Sequence, residues 1–215
     1  MSKYFTSFIS TLLLTTLTGV VIGCGENNIF DSVTSSQTTM TNHTMMGHSA
    51  MNLGPADAEY DLRFIDVMIP HHEGAVIMAK EALVKSSRNE IKTLATEIIE
   101  TQDKEISEMR QWRSSWYPSA PDTPMAWHST MNHSMIMSEA QIASMRMDMD
   151  LGKADNEFDL RFINAMIPHH QGAVKMAKDL LAKSQRPEMQ TLAQNIINSQ
   201  QREIEQLQQW HEKWY

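Results

Sequence analysis

The sequence predicts an all-α protein, an antiparallel four-helix bundle made from two copies of one helical hairpin joined by a long Met/His-rich crossover. Three observations carry this. The stretch from Tyr60 to Tyr117 returns without a gap as Phe158 to Tyr215, with about 33 of 58 positions identical, so one subdomain occurs twice. Inside each copy apolar residues recur at helical spacing, first as Phe64, Ile65, Met68, Ala75, Met78 and Leu83, then as Leu94, Ile98, Ile106, Met109 and Trp112. A polar break at Ser86 to Asn89, and again at Ser184 to Pro187, divides each copy into two helices. Two hairpins with one apolar stripe each bury those stripes against one another.

The segments follow in order. Residues 1–23 hold one early cation, Lys3, and an apolar run from Phe8 through Leu12, Leu13, Leu14 and Leu17 to Ile22, which reads as an export signal. It ends in Val21-Ile22-Gly23-Cys24, which resembles a bacterial lipobox and offers a lipid anchor at Cys24. Residues 24–50 are Ser/Thr/Asn-rich and too poor in large apolar groups to form a core, so they are expected to be a flexible tether. Residues 51–117 form the first hairpin, 118–148 the crossover, and 149–215 the second hairpin, with 51–215 as one bundle. Pro70 and Pro168 sit inside the first helix of each hairpin, where loss of a backbone N–H predicts a kink with the His pair opening a second segment. Gly74 and Gly172, one turn on, let another backbone come close.

Each of these helices repeats Met-Ile-Pro-His-His, at Met68 to His72 and at Met166 to His170. At 100° per residue Met68, His71, His72 and Met78 share one arc, as do Met166, His169, His170 and Met176. Antiparallel pairing about the turn puts Gln102, Glu105 and Met109 level with the first cluster, and Gln200 and Glu203 level with the second. Leu207 stands where the first hairpin has Met109, so two related but unequal clusters are expected, one per hairpin. Buried polar groups need partners, which leaves a hydrogen-bonded His–Glu pair or a metal ion.

The chain has 18 methionines and one cysteine, so thioether is the soft donor that dominates. Eleven of those methionines and four histidines fall in polar segments with no apolar stripe to complete. The tether carries Met40, His43, Met45, Met46, His48 and Met51; the crossover and its end carry Met125, His128, Met131, His133, Met135, Met137, Met145, Met147 and Met149. Core packing does not account for a methionine in such a segment, whereas imidazole and thioether together suit Cu(I). A net charge of −8 leaves no basic stripe for phosphates, which excludes a nucleic-acid partner. The alternatives are a structural, partner-binding bundle and a di-metal carboxylate oxidase or peroxidase of the four-helix kind; the last uses paired Glu-x-x-His motifs, and none occurs here.

The paired stretches Asp61-Leu-Arg-Phe-Ile-x-x-Met-Ile-Pro-His-His-x-Gly-Ala-Val-x-Met-Ala-Lys80 and Asp159 to Lys178 resemble the CopM-type family of exported copper-binding proteins. That resemblance implies a ferritin-like four-helix fold and a periplasmic, non-enzymatic role in copper tolerance, as a sink or metallochaperone. It implies Cu(I) as cargo, with Cu(II) and Ag(I) as further ions, and a copper efflux or sensor protein as partner. Carried over position by position, the implied ligands are Met68, His71, His72 and Met78, with Met166, His169, His170 and Met176.

Overall fold

A computed structural model describes residues 52–215. The export signal, Cys24 and the tether donors His43, Met45, Met46, His48 and Met51 lie outside the described residues. Four long helices make the bundle: α1 (Tyr60–Lys85), α2 (Asn89–Trp116), then, after the crossover, α4 (Phe158–Lys183) and α5 (Pro187–Trp214). Each opens on an acidic residue in its first turn and closes on a basic one in its last, which matches the helix dipole. Pro187 supplies the first residue of α5, where its missing N–H costs nothing. The two turns are closed alike, the Oγ of Ser86 accepting from Arg88 N and that of Ser184 from Arg186 N.

The helix α1 runs through Pro70, and α4 through Pro168, without interruption. The His pairs therefore lie mid-helix rather than opening a second segment. Packing on both sides holds each helix together where a backbone bond is lost.

The crossover is more ordered than its composition suggests. Strands β1 (Met125–His128) and β2 (His133–Ile136) pair antiparallel, and a short helix α3 (Glu139–Arg146) follows. Asn132 takes the left-handed conformation that closes the hairpin, with φ 56°. Ser138 and Gln141 form a reciprocal capping box that starts α3.

The hairpin strands of this insertion are pinned to the first hairpin. Buried Asp66 accepts from Arg113 Nε at 2.5 Å and from Met125 N at 2.8 Å. The guanidinium of Arg63, fully buried, donates to Ser134 Oγ and lies 5.1 Å from the Trp127 ring. The second hairpin has Asn164 and His211 where the first has Asp66 and Arg113, so the same anchor is not available there.

The apolar core falls into two parts. Tyr60, Phe64 and Met68 from the first half of α1 pack with Ala173, Met176 and Leu180 from the second half of α4. Ala75, Met78 and Ala82 from the second half of α1 pack with Phe158, Phe162 and Met166 from the first half of α4. Both parts draw on both hairpins, because α1 lies antiparallel on α4. Between them lies a polar layer.

Candidate metal centre

The layer consists of His71, His72, His169 and His170, each at most 2% exposed. His71 and His169, from different hairpins, have ring centroids 3.9 Å apart with planes inclined at 46°. His72 flanks His71 at 6.5 Å, and His170 flanks His169 at 6.2 Å. The sequence suggests two clusters, one per hairpin, but the antiparallel packing of α1 on α4 brings the two helix midpoints together. One level of four imidazoles results.

Their nitrogens are used unequally. His72 donates from Nε2 to Glu105 Oε2 at 2.8 Å, and His169 from Nε2 to the Arg146 carbonyl at 2.9 Å. His170 Nε2 lies 2.5 Å from Glu203 Oε2, an ion-pair distance without hydrogen-bond alignment. In all four rings Nδ1 has no hydrogen-bond partner, and Nε2 has none in His71 and His170 either. The side-chain oxygens of Gln102 and Gln200 are likewise buried and unpaired.

An unpaired buried polar atom costs about 1–3 kcal/mol, so six such nitrogens in one layer are a substantial burden on a bundle of this size. An ion would remove it. A ring held at one nitrogen by a carboxylate or carbonyl turns its other lone pair outward in a fixed direction, which is how metal-binding imidazoles are oriented. Burial also keeps the two central rings, His71 and His169, uncharged. It holds His71 well below the ordinary histidine range, helped by His169, His72 and His170, and it lowers His169 to about 3, with His170 adding and the Arg146 carbonyl opposing. Both imidazoles are neutral donors at neutral pH.

Among the described residues no three His, Cys, Asp or Glu side chains are gathered as a metal-holding group. Thioethers flank the layer unevenly. Met68, Met109 and Met176 share one half of the core with Met137 and Met145, whereas the other half contains Met78 and Met166. Leu207 lies in that second half, at the position matching Met109.

The crossover methionines divide accordingly. Met137 and Met145 are 2% and 7% exposed and belong to the core, which corrects the expectation that no methionine of this segment is core. They gain their apolar surroundings from α1 rather than from their own polar neighbours. Met131 and Met149 are 58% and 60% exposed, Met135 is also exposed, and Met125 and Met147 are half-buried.

At the tip of the β-hairpin His128 and His133 stand opposite each other. The His128 Nδ1 accepts from Met131 N at 3.2 Å, and the His133 Nδ1 lies 3.1 Å from Met131 O, to which it donates. His133 therefore keeps an open Nε2 lone pair at the surface, whereas the proton of a neutral His128 is on Nε2. Sequence reasoning missed the Arg146 carbonyl and the Asp66–Arg113 anchor. A signal for each existed: the Ser138-x-x-Gln141 capping box ahead of Arg146, and the divergence of Asp66 and Arg113 from their counterparts in the repeat.

Fold and layer together define a duplicated helical bundle with metal-type donors enclosed at its centre. The chain belongs to the family described as "Domain of unknown function (DUF305)", whose model matches residues 61–211. It is similar to CopM in the Cu(II)-bound form, at 40% identity and TM-score 0.58, over 72% of this chain and 97% of that one. CopM in the Cu(I)-bound form gives 39% identity and TM-score 0.55 over the same shares. A DUF305 fragment from Deinococcus radiodurans is 28% identical with TM-score 0.55, over 74% of this chain and 99% of that one. An uncharacterized protein, L153, of Acanthamoeba polyphaga mimivirus is 41% identical over 49 residues. That match spans 23% of this chain and 32% of the viral protein's length. The structures fit the bundle that the repeat predicts.

Proposed function

We propose that this chain is an exported copper-binding protein, a sink or metallochaperone rather than an enzyme. It takes Cu(I) on imidazole and thioether donors, and admits Cu(II) and Ag(I) to the same set. The observation that carries this is the layer of four imidazoles whose Nδ1 atoms are buried without partners. Supporting it, CopM, which is similar over most of both chains, has been solved with Cu(I), Cu(II) and Ag bound. The central donors are His71, His72, His169 and His170, with Met68, Met109 and Met176 on one side and Met78 and Met166 on the other. Exposed Met131, His133, Met135 and Met149, and the tether donors, act as outer capture groups.

The apolar leader and Cys24 support a periplasmic setting with a lipid anchor, with an efflux or sensor protein as the recipient. Carboxylate chemistry is poorly served, because Glu105 and Glu203 are the glutamates buried at the layer among the described residues. The test is an anaerobic Cu(I) titration of the chain against a colorimetric competitor, beside a variant with all four histidines changed to Ala and its helicity checked. Loss of the tightest ions with the helices retained supports the layer as the site. Equal binding by both moves the function to the methionine-rich segments, and no competitive binding by either ends the copper reading.

A further inference from the structure

The imidazole layer lies far from both ends of the bundle. At the usual helical rise His71 is about 16 Å from the start of α1 and about 21 Å from its end. The shorter way in is from the side. Among the described residues, the polar contacts that other elements make to the layer come from Glu105 on α2, Glu203 on α5 and the Arg146 carbonyl that ends α3. The first two belong to helices of 28 residues, whereas α3 has 8. The carbonyl of Arg146 also lies against Gly74, where a Cβ would meet it at 1.9 Å, so the end of α3 sits on α1 beside the layer. Its side chain is held by a partly exposed pair with Glu73, Nε to Oε2 at 4.0 Å, which contributes little. A short element with few such ties opens at lower free energy than the long core helices, so this is the side that gives way.

Three methionines lead from solvent to this point. Met149 is 60% exposed, Met147 is half-buried, and Met145 is 7% exposed and belongs to the part of the core that contains Met68, Met109 and Met176. Residues two apart in sequence have Cα atoms at most about 7 Å apart. Two flexible thioether side chains bridge that span, so each neighbouring pair can hold one ion between them. At the outer end Asp148 and Asp150 are exposed on either side of Met149, and carboxylates there draw cations without selecting among them. Met147 takes the left-handed conformation at the end of α3, with φ 49°, where glycine or asparagine is the usual residue. A methionine is disfavoured there by its backbone, which points to its thioether as the reason for its place.

We propose that Met149, Met147 and Met145 form the path by which a soft monovalent ion, Cu(I) or Ag(I), passes from solvent to the imidazole layer. The ion moves by ligand exchange, binding the next thioether before leaving the last, so no electron or proton is transferred on the way. Thioether suits such an ion and holds harder cations poorly, which makes the path selective as well. The inference rests on the copper reading and adds the order in which the donors are used. Its signature is kinetic. Removing a thioether along the path slows filling and emptying of the layer alike and leaves the affinity of the layer as it was.

The test follows anaerobic Cu(I) transfer between the full chain and a colorimetric chelator by stopped flow, in both directions, for the phase that is lost when the four histidines are changed to Ala. Met147→Leu keeps the side-chain volume and removes the sulfur. It should slow both directions about tenfold with the competition affinity unchanged, as loss of an interaction made only in transit does. Met147→Gly, which suits the left-handed backbone, should slow transfer as much; rescue of the rate by this variant would mean that Met147 acts through the backbone, and overturns the path. Faster release with unaltered uptake marks Met147 as a ligand of the final site and overturns it too. Unchanged rates in both variants overturn the path and leave the copper reading in place, whereas a parent chain that takes no Cu(I) from the chelator overturns both.

Discussion

His71 and His169 are histidines only by virtue of what they lack. Neither is charged near neutrality, since burial holds the first well below the usual range and the second at about 3. In the unfolded chain both take up a proton near pH 6.5. Below that value the unfolded state binds protons that the native state refuses, so stability is full above pH 6.5 and falls as pH drops toward 3. The slope is about 1.4 kcal/mol per pH unit for each ring. Urea denaturation of the metal-free chain at pH 7 and pH 5 should show this decline, and His71→Gln should remove about half of it; a flat profile would mean that the rings are solvated. Glu105→Gln probes the orientation of His72 instead. It should weaken Cu(I) binding about 10–100-fold, as loss of an outer partner does for metal-bound imidazoles, with little change in melting temperature. Unaltered affinity would remove His72 from the donor set. At this scale the repeated Met-Ile-Pro-His-His named the four rings, because helical spacing alone puts them on an inner face. It did not name the Arg146 carbonyl, since the Ser138-x-x-Gln141 capping box announces a helix ahead of Arg146 but not what that helix lies against.

Among the elements, the crossover departs furthest from its composition. Its Ser, Thr and Asn content reads as loop, yet β1, β2 and α3 form because Arg63, Asp66 and Arg113 on the first hairpin supply the fixed partners that the segment lacks by itself. Tertiary contacts of this kind are invisible to periodicity, whereas the long helices were legible from it. Gly74 tests how tightly α3 is seated. In an exposed helix Gly→Ala stabilises by about 1 kcal/mol. Here the new methyl would collide with the Arg146 carbonyl at 1.9 Å, so Gly74→Ala should destabilise instead, by about 1–3 kcal/mol, as overpacking does. Thermal melting gives the sign, and limited proteolysis between Met137 and Met149 should show the crossover released first. A stabilised variant would mean that α3 yields without cost.

Over the whole molecule, the two hairpins are clamped at both ends by reciprocal contacts. Arg186, in the second turn, lies 4.4 Å from the Trp116 ring and 3.4 Å from Asp61 of the first hairpin. Arg88, in the first turn, lies 4.2 Å from Trp214 and 3.5 Å from Asp159 of the second. Each tryptophan is backed by a stacked neighbour, Trp112 or Trp210. Both arginines are partly exposed, so each clamp is worth about 1 kcal/mol. The clamps share no partner, so Arg88→Ala and Arg186→Ala should lower stability by similar, additive amounts; strong non-additivity in a double-variant cycle would mean that the ends communicate through the core. A dimer of single hairpins would have the same geometry but would repeat every substitution on both sides of its axis. Joining the copies in one chain removes that constraint. Leu207 could replace a thioether without touching Met109, and a crossover could settle on one face alone. The result is two non-equivalent core halves on either side of a shared imidazole layer, each free to change without the other.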